Sequence, residues 1–169
     1  DTHGSVSAWR KAYDQFLHQT DLIIHCGDLL YHGPRNPLPD EYKPNELCTL
    51  FNTLEKPIVF VRGNCDAEVD QMILDHPIEA PYAHLITPRW RILVHHGHRD
   101  RLPAKTKNFY NLIISGHTHL PSVKQENGVV YLTEEPLGSG MFYLPLVEDG
   151  KNVEEFEIVE ERRVTLNDQ

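Results

Sequence analysis

Four times along the first two thirds of the chain, a short apolar run ends in a glycine-bearing cluster of residues able to bind a cation. No other property of the sequence restricts the fold as much. Leu22-Ile23-Ile24 leads into Gly27-Asp28, and Ile58-Val59-Phe60-Val61 into Gly63-Asn64-Cys65-Asp66. Ile92-Leu93-Val94 leads into His95-His96-Gly97-His98, and Leu112-Ile113-Ile114 into Gly116-His117-Thr118-His119. Runs so short and apolar are expected as buried strands. The segments between them have helical spacing: Val6, Trp9, Tyr13, Phe16 and Leu17 share one face of a helix starting near Ser5, and Leu47, Leu50, Phe51 and Leu54 share one after Asn45. Alternation of this kind predicts βαβ units in a layered α/β domain. Ligands of such sheets bind outside the carboxyl ends of the strands, so the four clusters are expected to converge on one site.

The last third changes character. Asn127-Gly128 and Asp149-Gly150 are hairpin signals beside the β-rich stretches Val129 to Leu132 and Phe142 to Val147, and a final half-exposed strand is expected around Phe156 and Ile158. A length of 169 residues suits one domain, so residues 1–169 are read as a single unit. Asp1-Thr2-His3 has no apolar run before it, unlike the later clusters, and a first strand is expected upstream of residue 1.

Composition narrows the function. A net charge of −9 without a Lys/Arg stripe disfavours long nucleic acids and favours a small substrate. There is no tract of about 18 or more apolar residues to span a bilayer, so no membrane role is expected. The three cysteines have no CxxC spacing, which with the lack of a leader pattern suggests free thiols in the cytoplasm. The 11 histidines are the excess that asks for a use. With Asp1 and His3 added to the four clusters, the donors are carboxylate, amide oxygen and imidazole. That set suits Mn²⁺, Fe or Zn²⁺ and lacks the cysteine pair of a structural zinc site.

Asp1-x-His3, Gly27-Asp28, Gly63-Asn64-x-Asp66, His96-Gly97-His98 and Gly116-His117-x-His119 together resemble the successive blocks of the calcineurin-like metallophosphoesterase family, over residues 1–119. His32-Gly33-Pro34-Arg35-Asn36-Pro37 and the stretch from Gly63 to Gln71 are similar to its small bacterial phosphodiesterase branch, which is kin to a retromer subunit. The resemblance implies two mixed β-sheets packed as a sandwich and flanked by helices. It implies one metal held by Asp1, His3 and His119, another by Asn64, His96 and His117, and Asp28 bridging both. The function implied is hydrolysis of small phosphodiesters or phosphomonoesters by a water shared between two divalent cations, with Mn²⁺ the first choice over Zn²⁺, Fe, Ni²⁺ and Mg²⁺. Asp28 offers two oxygens to a bridge, and Asn64 adds an oxygen without adding negative charge. Asp66 is expected to orient a ligand, or else to cap the helix that follows.

The departures from the family pattern matter as well. Cys65 stands where many members carry a histidine that assists the leaving group, and a thiol is a poorer proton donor than an imidazolium. His98 is the other candidate acid. Where the branch has Asn-Pro-Gly-Ser, this chain reads Thr133 to Ser139, and a loop is expected to be missing near residues 133–136. Cys26 and Cys48 are read as core residues, and His18, His76 and His84 as surface. The proline-rich stretch from Tyr31 to Pro39 must leave the sheet as a loop near the metals, where Arg35 is the candidate phosphate anchor. Two rivals stand beside the enzyme: a non-catalytic interaction scaffold of the same fold, and a nuclease. A homo-oligomer is compatible with all three.

Overall fold

The structure is a computed structural model and describes residues 1–99, 101–120 and 122–133. The expected strands at Phe142 to Val147 and around Phe156, and the expected gap at 133–136 beyond Thr133, lie outside the described residues.

Ser5 starts the first helix, α1 (Val6–Gln15), by accepting from the Ala8 amide at 3.2 Å, and Val6, Trp9 and Ala12 form its buried stripe. Strand β1 (Ile23–His25) is followed by α2 (Pro44–Asn52), whose Pro44 sits in the first turn, where a missing amide hydrogen costs nothing. Strand β2 (Ile58–Val61) leads through α3 (Glu68–Ile73) to β3 (Ile78–Glu79). These three strands make one sheet, β1-β2-β3, parallel throughout because each connection crosses over through a helix. The second sheet contains β4 (Ala83–Ile86), β5 (Arg91–His95), β6 (Leu112–Ser115), β7 (Ser122–Glu126) and β8 (Val129–Thr133), with short α4 (Thr106–Phe109) before β6. Its order is β4-β5-β6-β8-β7 and it is mixed as expected, whereas the described strands of the first sheet are all parallel rather than mixed. Asn127 and Gly128, at φ 52° and 78°, make the β7–β8 turn.

Alternation along the strands sorts residues into layers. Ile23 and Phe60 face α1 and α2, where Trp9, Leu47 and Phe51 close one core; the Phe51 ring lies 4.9 Å from Trp9 and 5.0 Å from Phe60. Ile24, Val59 and Val61 face the other way, against Ile92, Val94, Leu112, Ile114, Val130 and Leu132 of the second sheet. Leu93, Ile113 and Val129 form the outer layer with Tyr82 and Tyr110. The result is a sheet sandwich with helices on its flank, and the loops leaving β1, β2, β5 and β6 gather at one edge. Among the described residues, no helix is long and apolar enough to cross a membrane.

One reading needs correction. His76 is half-buried rather than a surface residue: its Nε2 lies 3.1 Å from the Phe51 carbonyl oxygen and its ring 5.9 Å from Phe60, so it seals the bottom of the first core.

Candidate metal centre

The parity of each strand decides which polar side chain turns inward. His95 ends β5 on the outer layer, its ring 6.4 Å from Tyr82, so the next residue, His96, points into the gathered loops and is 1% exposed. There the His96 Nδ1–H donates to the Cys26 carbonyl at 2.9 Å, which leaves Nε2 facing Asn64 Oδ1 at 3.0 Å, His117 Nδ1 at 3.1 Å and Asp28 Oδ2 at 3.4 Å. The Asn64 amide is turned by its own Nδ2, which donates to Cys65 Sγ at 3.2 Å.

The other half is built from the segment before α1. His3 Nδ1–H donates to the Tyr31 carbonyl at 3.0 Å, so its Nε2 looks inward, 3.9 Å from Asp1 Oδ2 and 3.7 Å from Asp28 Oδ2. His119 Nε2 lies 3.1 Å from Asp1 Oδ2. The same Asp28 oxygen therefore faces both halves. Asp28 Oδ1 accepts from the Cys65 amide at 2.8 Å, which fixes the carboxylate in that pose.

Asp66 touches none of these donor atoms. Its carboxylate accepts from the amides of Asp28 at 2.9 Å, Gly63 at 2.6 Å and Leu29 at 2.7 Å, tying the loop after β2 to the loop after β1. The cap of α3 is instead Asp70, which accepts from the Ala67 amide at 2.7 Å. The loops touch so closely that a side chain on Gly63 would overlap Asp28 Oδ1, and a Cβ on Gly116 would stand 2.8 Å from Asp1 Oδ1.

The backbone is strained where the donors sit. His3, Asp28, His117 and His119 have φ of 48°, 54°, 71° and 56°. Each such residue costs on the order of 1–3 kcal/mol and persists only where its surroundings over-determine it. Electrostatics prepares the same atoms. Burial opposes ionisation of Asp28, but the His96 imidazole and the Cys65 amide outweigh it and hold its carboxyl below the usual range. Burial lowers the basicity of His3, His117 and His119, leaving their rings neutral with lone pairs free.

Whether a cation fits can be judged from the polar atoms. Asp1 Oδ1 and His3 Nε2 are buried without a hydrogen-bond partner, a cost of roughly 1–3 kcal/mol each that a bound ion removes. With Nδ1 committed to Cys26, the His96 Nε2 lone pair faces oxygen acceptors at 3.0 Å and 3.4 Å, a position that calls for positive charge. Asp1, His3 and His119 form one donor group, and Asp28, His96 and His117 another. Cys65 also groups with His3 and Asp28, but burial and the Asp28 carboxylate push its thiol up to about 12, so it stays protonated. The remaining candidates lie at the rim. His98 is exposed, its ring 5.4 Å from that of His96 and 6.2 Å from that of His117. Arg35 is exposed in the loop between Tyr31 and Pro39, near enough for its charge to lower the pKa of His117. That loop rests on Cys65: a Cβ on Gly33 would lie 2.9 Å from Sγ.

Sequence reasoning did not single out His25 or Thr2, both buried behind Asp1 and His3. The available signal was a polar residue at an inward position of an apolar run.

Comparison with known proteins shows the family and the fold. The family model of the calcineurin-like phosphoesterase superfamily domain matches residues 1–134. Phosphodiesterase YfcE of Escherichia coli K12 is 37% identical over 135 residues, which is 78% of this chain and 72% of that protein. The solved structure of the E. coli YfcE phosphoesterase superposes with a TM-score of 0.71 at 35% identity, covering 81% of this chain and 76% of the other. An archaeal phosphodiesterase shares the fold at a TM-score of 0.62 and 21% identity, covering 80% of each chain. Vps29 of Entamoeba histolytica, solved with Zn²⁺, shares it at 0.53 and 16%, covering 88% of this chain and 73% of its own.

Proposed function

The chain belongs to the calcineurin-like phosphoesterase superfamily, and on that premise we propose that it is a metal-dependent phosphodiesterase acting on small phosphodiesters at the centre described above. The observation that carries this reading is the placement of Asp28 Oδ2, 3.7 Å from His3 Nε2 and 3.4 Å from His96 Nε2. One carboxylate is thereby offered to two ligand sets. Asp1, His3 and His119 would hold one cation, Asn64, His96 and His117 a second, with Asp28 between them. Bound there, divalent cations supply an activated water and neutralise charge developing on the phosphoryl oxygens.

The chain's own residues do the rest. The Cys26 and Tyr31 carbonyls fix the tautomers of His96 and His3, so each presents a lone pair. Asn64 adds an oxygen without charge, which keeps the site receptive to an anion. Arg35 reaches the substrate phosphate from the rim, where its planar fork suits two phosphate oxygens. Cys65, held near 12, is a weak proton donor, and His98, its pKa lowered by burial and by His96, is neutral at pH 7. Neither is a strong acid for the departing alcohol, which favours esters with good leaving groups. Mn²⁺ is the first choice of ion because every donor is nitrogen or oxygen. Three free thiols suit the reducing cytoplasm.

The test is chelation followed by repletion with Mn²⁺, Mg²⁺, Zn²⁺ or Ni²⁺, assayed on an aryl phosphodiester and the matching monoester. Activity should vanish on chelation and return best with Mn²⁺ on the diester. A chelated protein at full rate overturns the reading.

A further inference from the structure

His25 is a buried titratable group that the chemistry above leaves unused. It closes β1 at 5% exposure on the face turned to the helices, its ring 5.9 Å from Phe51 and 5.6 Å from Phe60. A ring of that size could be mere filling, but its hydrogen bonds give each nitrogen one role. The Gly27 amide can only donate, and it donates to His25 Nδ1 at 3.2 Å, so the ring proton sits on Nε2. Nε2–H then donates to Thr2 Oγ1 at 2.9 Å, and the Thr2 hydroxyl donates onward to the Leu29 carbonyl at 2.8 Å. The second lone pair of that carbonyl receives the Gly4 amide at 2.9 Å. The relay has a single direction and no spare group. A doubly protonated ring would set an N–H against the Gly27 N–H, and burial keeps His25 neutral.

Thr2 stands between two donor residues. Asp1 and His3 face the centre, while Thr2, 2% exposed, carries its hydroxyl to the opposite side. The backbone bonds from the amides of Thr2 and His3 to the Asp28 carbonyl, at 3.2 and 2.8 Å, hold the height of this segment. On the face away from the centre, the Thr2 hydroxyl adds a side-chain anchor to them. The strained φ of 48° at His3 needs such a restraint.

We propose that His25 is a positioning residue for the half of the centre formed by Asp1, His3 and His119: through Thr2 its ring braces the segment that carries Asp1 and His3. This rests on the metal-centre reading. The experiment titrates chelator-stripped protein with Mn²⁺ by calorimetry, using His119→Ala to identify the binding step that belongs to this half. Thr2→Val keeps the volume and loses the hydroxyl, and Thr2→Ser restores it. His25→Phe keeps the ring among the phenylalanines and deletes the relay. Expected are a 10- to 100-fold weaker Kd for that step alone in Thr2→Val and in His25→Phe, the range usual for residues that orient a ligand, and near-wild-type binding in Thr2→Ser. The double variant should be no worse than either single one, since the residues act as one unit. Wild-type protein that binds no Mn²⁺ defeats the metal-centre reading itself. If the wild type binds and folded Thr2→Val keeps both steps, or loses both equally, the positioning role alone is overturned. Should His25→Phe fail to fold, the Thr2→Val and Thr2→Ser pair decides.

Discussion

In the half of the centre built from Asn64, His96 and His117 the donor atoms crowd together, and in the half built from Asp1, His3 and His119 they stand further apart. In the first, His96 is 1% exposed and its Nε2 has neighbours at 3.0, 3.1 and 3.4 Å. In the second, Asp1 Oδ1 and His3 Nε2 lack partners, and the His119 side chain is 38% exposed. The tighter half is organised before an ion arrives and should bind it first. In the looser half the orphaned atoms are Asp1 Oδ1 and His3 Nε2, and in the tighter half the His96 Nε2 lone pair faces oxygens, so a cation would relieve both.

The comparison can be broken most severely at the atom the halves share. Asp28→Asn should lower kcat/KM of the aryl diester by about 10³-fold or more, beyond the 10- to 100-fold typical of residues that only orient a ligand. Near-normal turnover in a protein with a native circular dichroism spectrum would remove Asp28 from both halves. A sharper cut separates them. In Mn²⁺ calorimetry, His119→Ala should abolish the weaker step and leave the tighter one within about 3-fold, whereas His117→Ala should weaken the tighter step by about 100-fold, the upper end for ligand-orienting residues. Equal losses in the two variants would show that the halves do not differ. Asp66→Asn, which loosens the clamp on the amides of Asp28, Gly63 and Leu29, should cost about 10- to 100-fold in kcat/KM with kcat carrying most of it. The smallest effect is expected at the rim. Arg35→Ala should raise KM by about 10-fold, one charge-assisted contact, with metal content unchanged, and Arg35→Lys should recover only part. An unchanged kcat/KM would assign Arg35 to solvent exposure alone.

Much of this was legible in the sequence because the same residues do two jobs. Ile58 to Val61 or Leu112 to Ile114 are apolar enough to be seen as strands, and the polar cluster after each marks where the strand stops. The loops themselves could not be ordered that way. Which of His95 and His96 turns inward depends on the parity of β5, and a one-residue shift would exchange them. β3 is two residues long and has no periodicity to read. His25 was invisible because its partner, Thr2, lies 23 positions earlier and neither residue belongs to a spaced motif. The expectation for His76 failed for a related reason: contacts to Phe51 and Phe60 form only once α2 and β2 have come together.

The 3.1 Å approach of His119 to Asp1 spans 118 positions of the chain. Residues so distant in sequence lie together only in the folded chain. On the proposed reading, a cation held there would recognise only the folded molecule and act as a removable staple between distant parts of one polypeptide. At 100 times its Kd, such an ion adds about 2.7 kcal/mol to the unfolding free energy. Metal supply would then bear on the stability of the folded chain as well as on its activity.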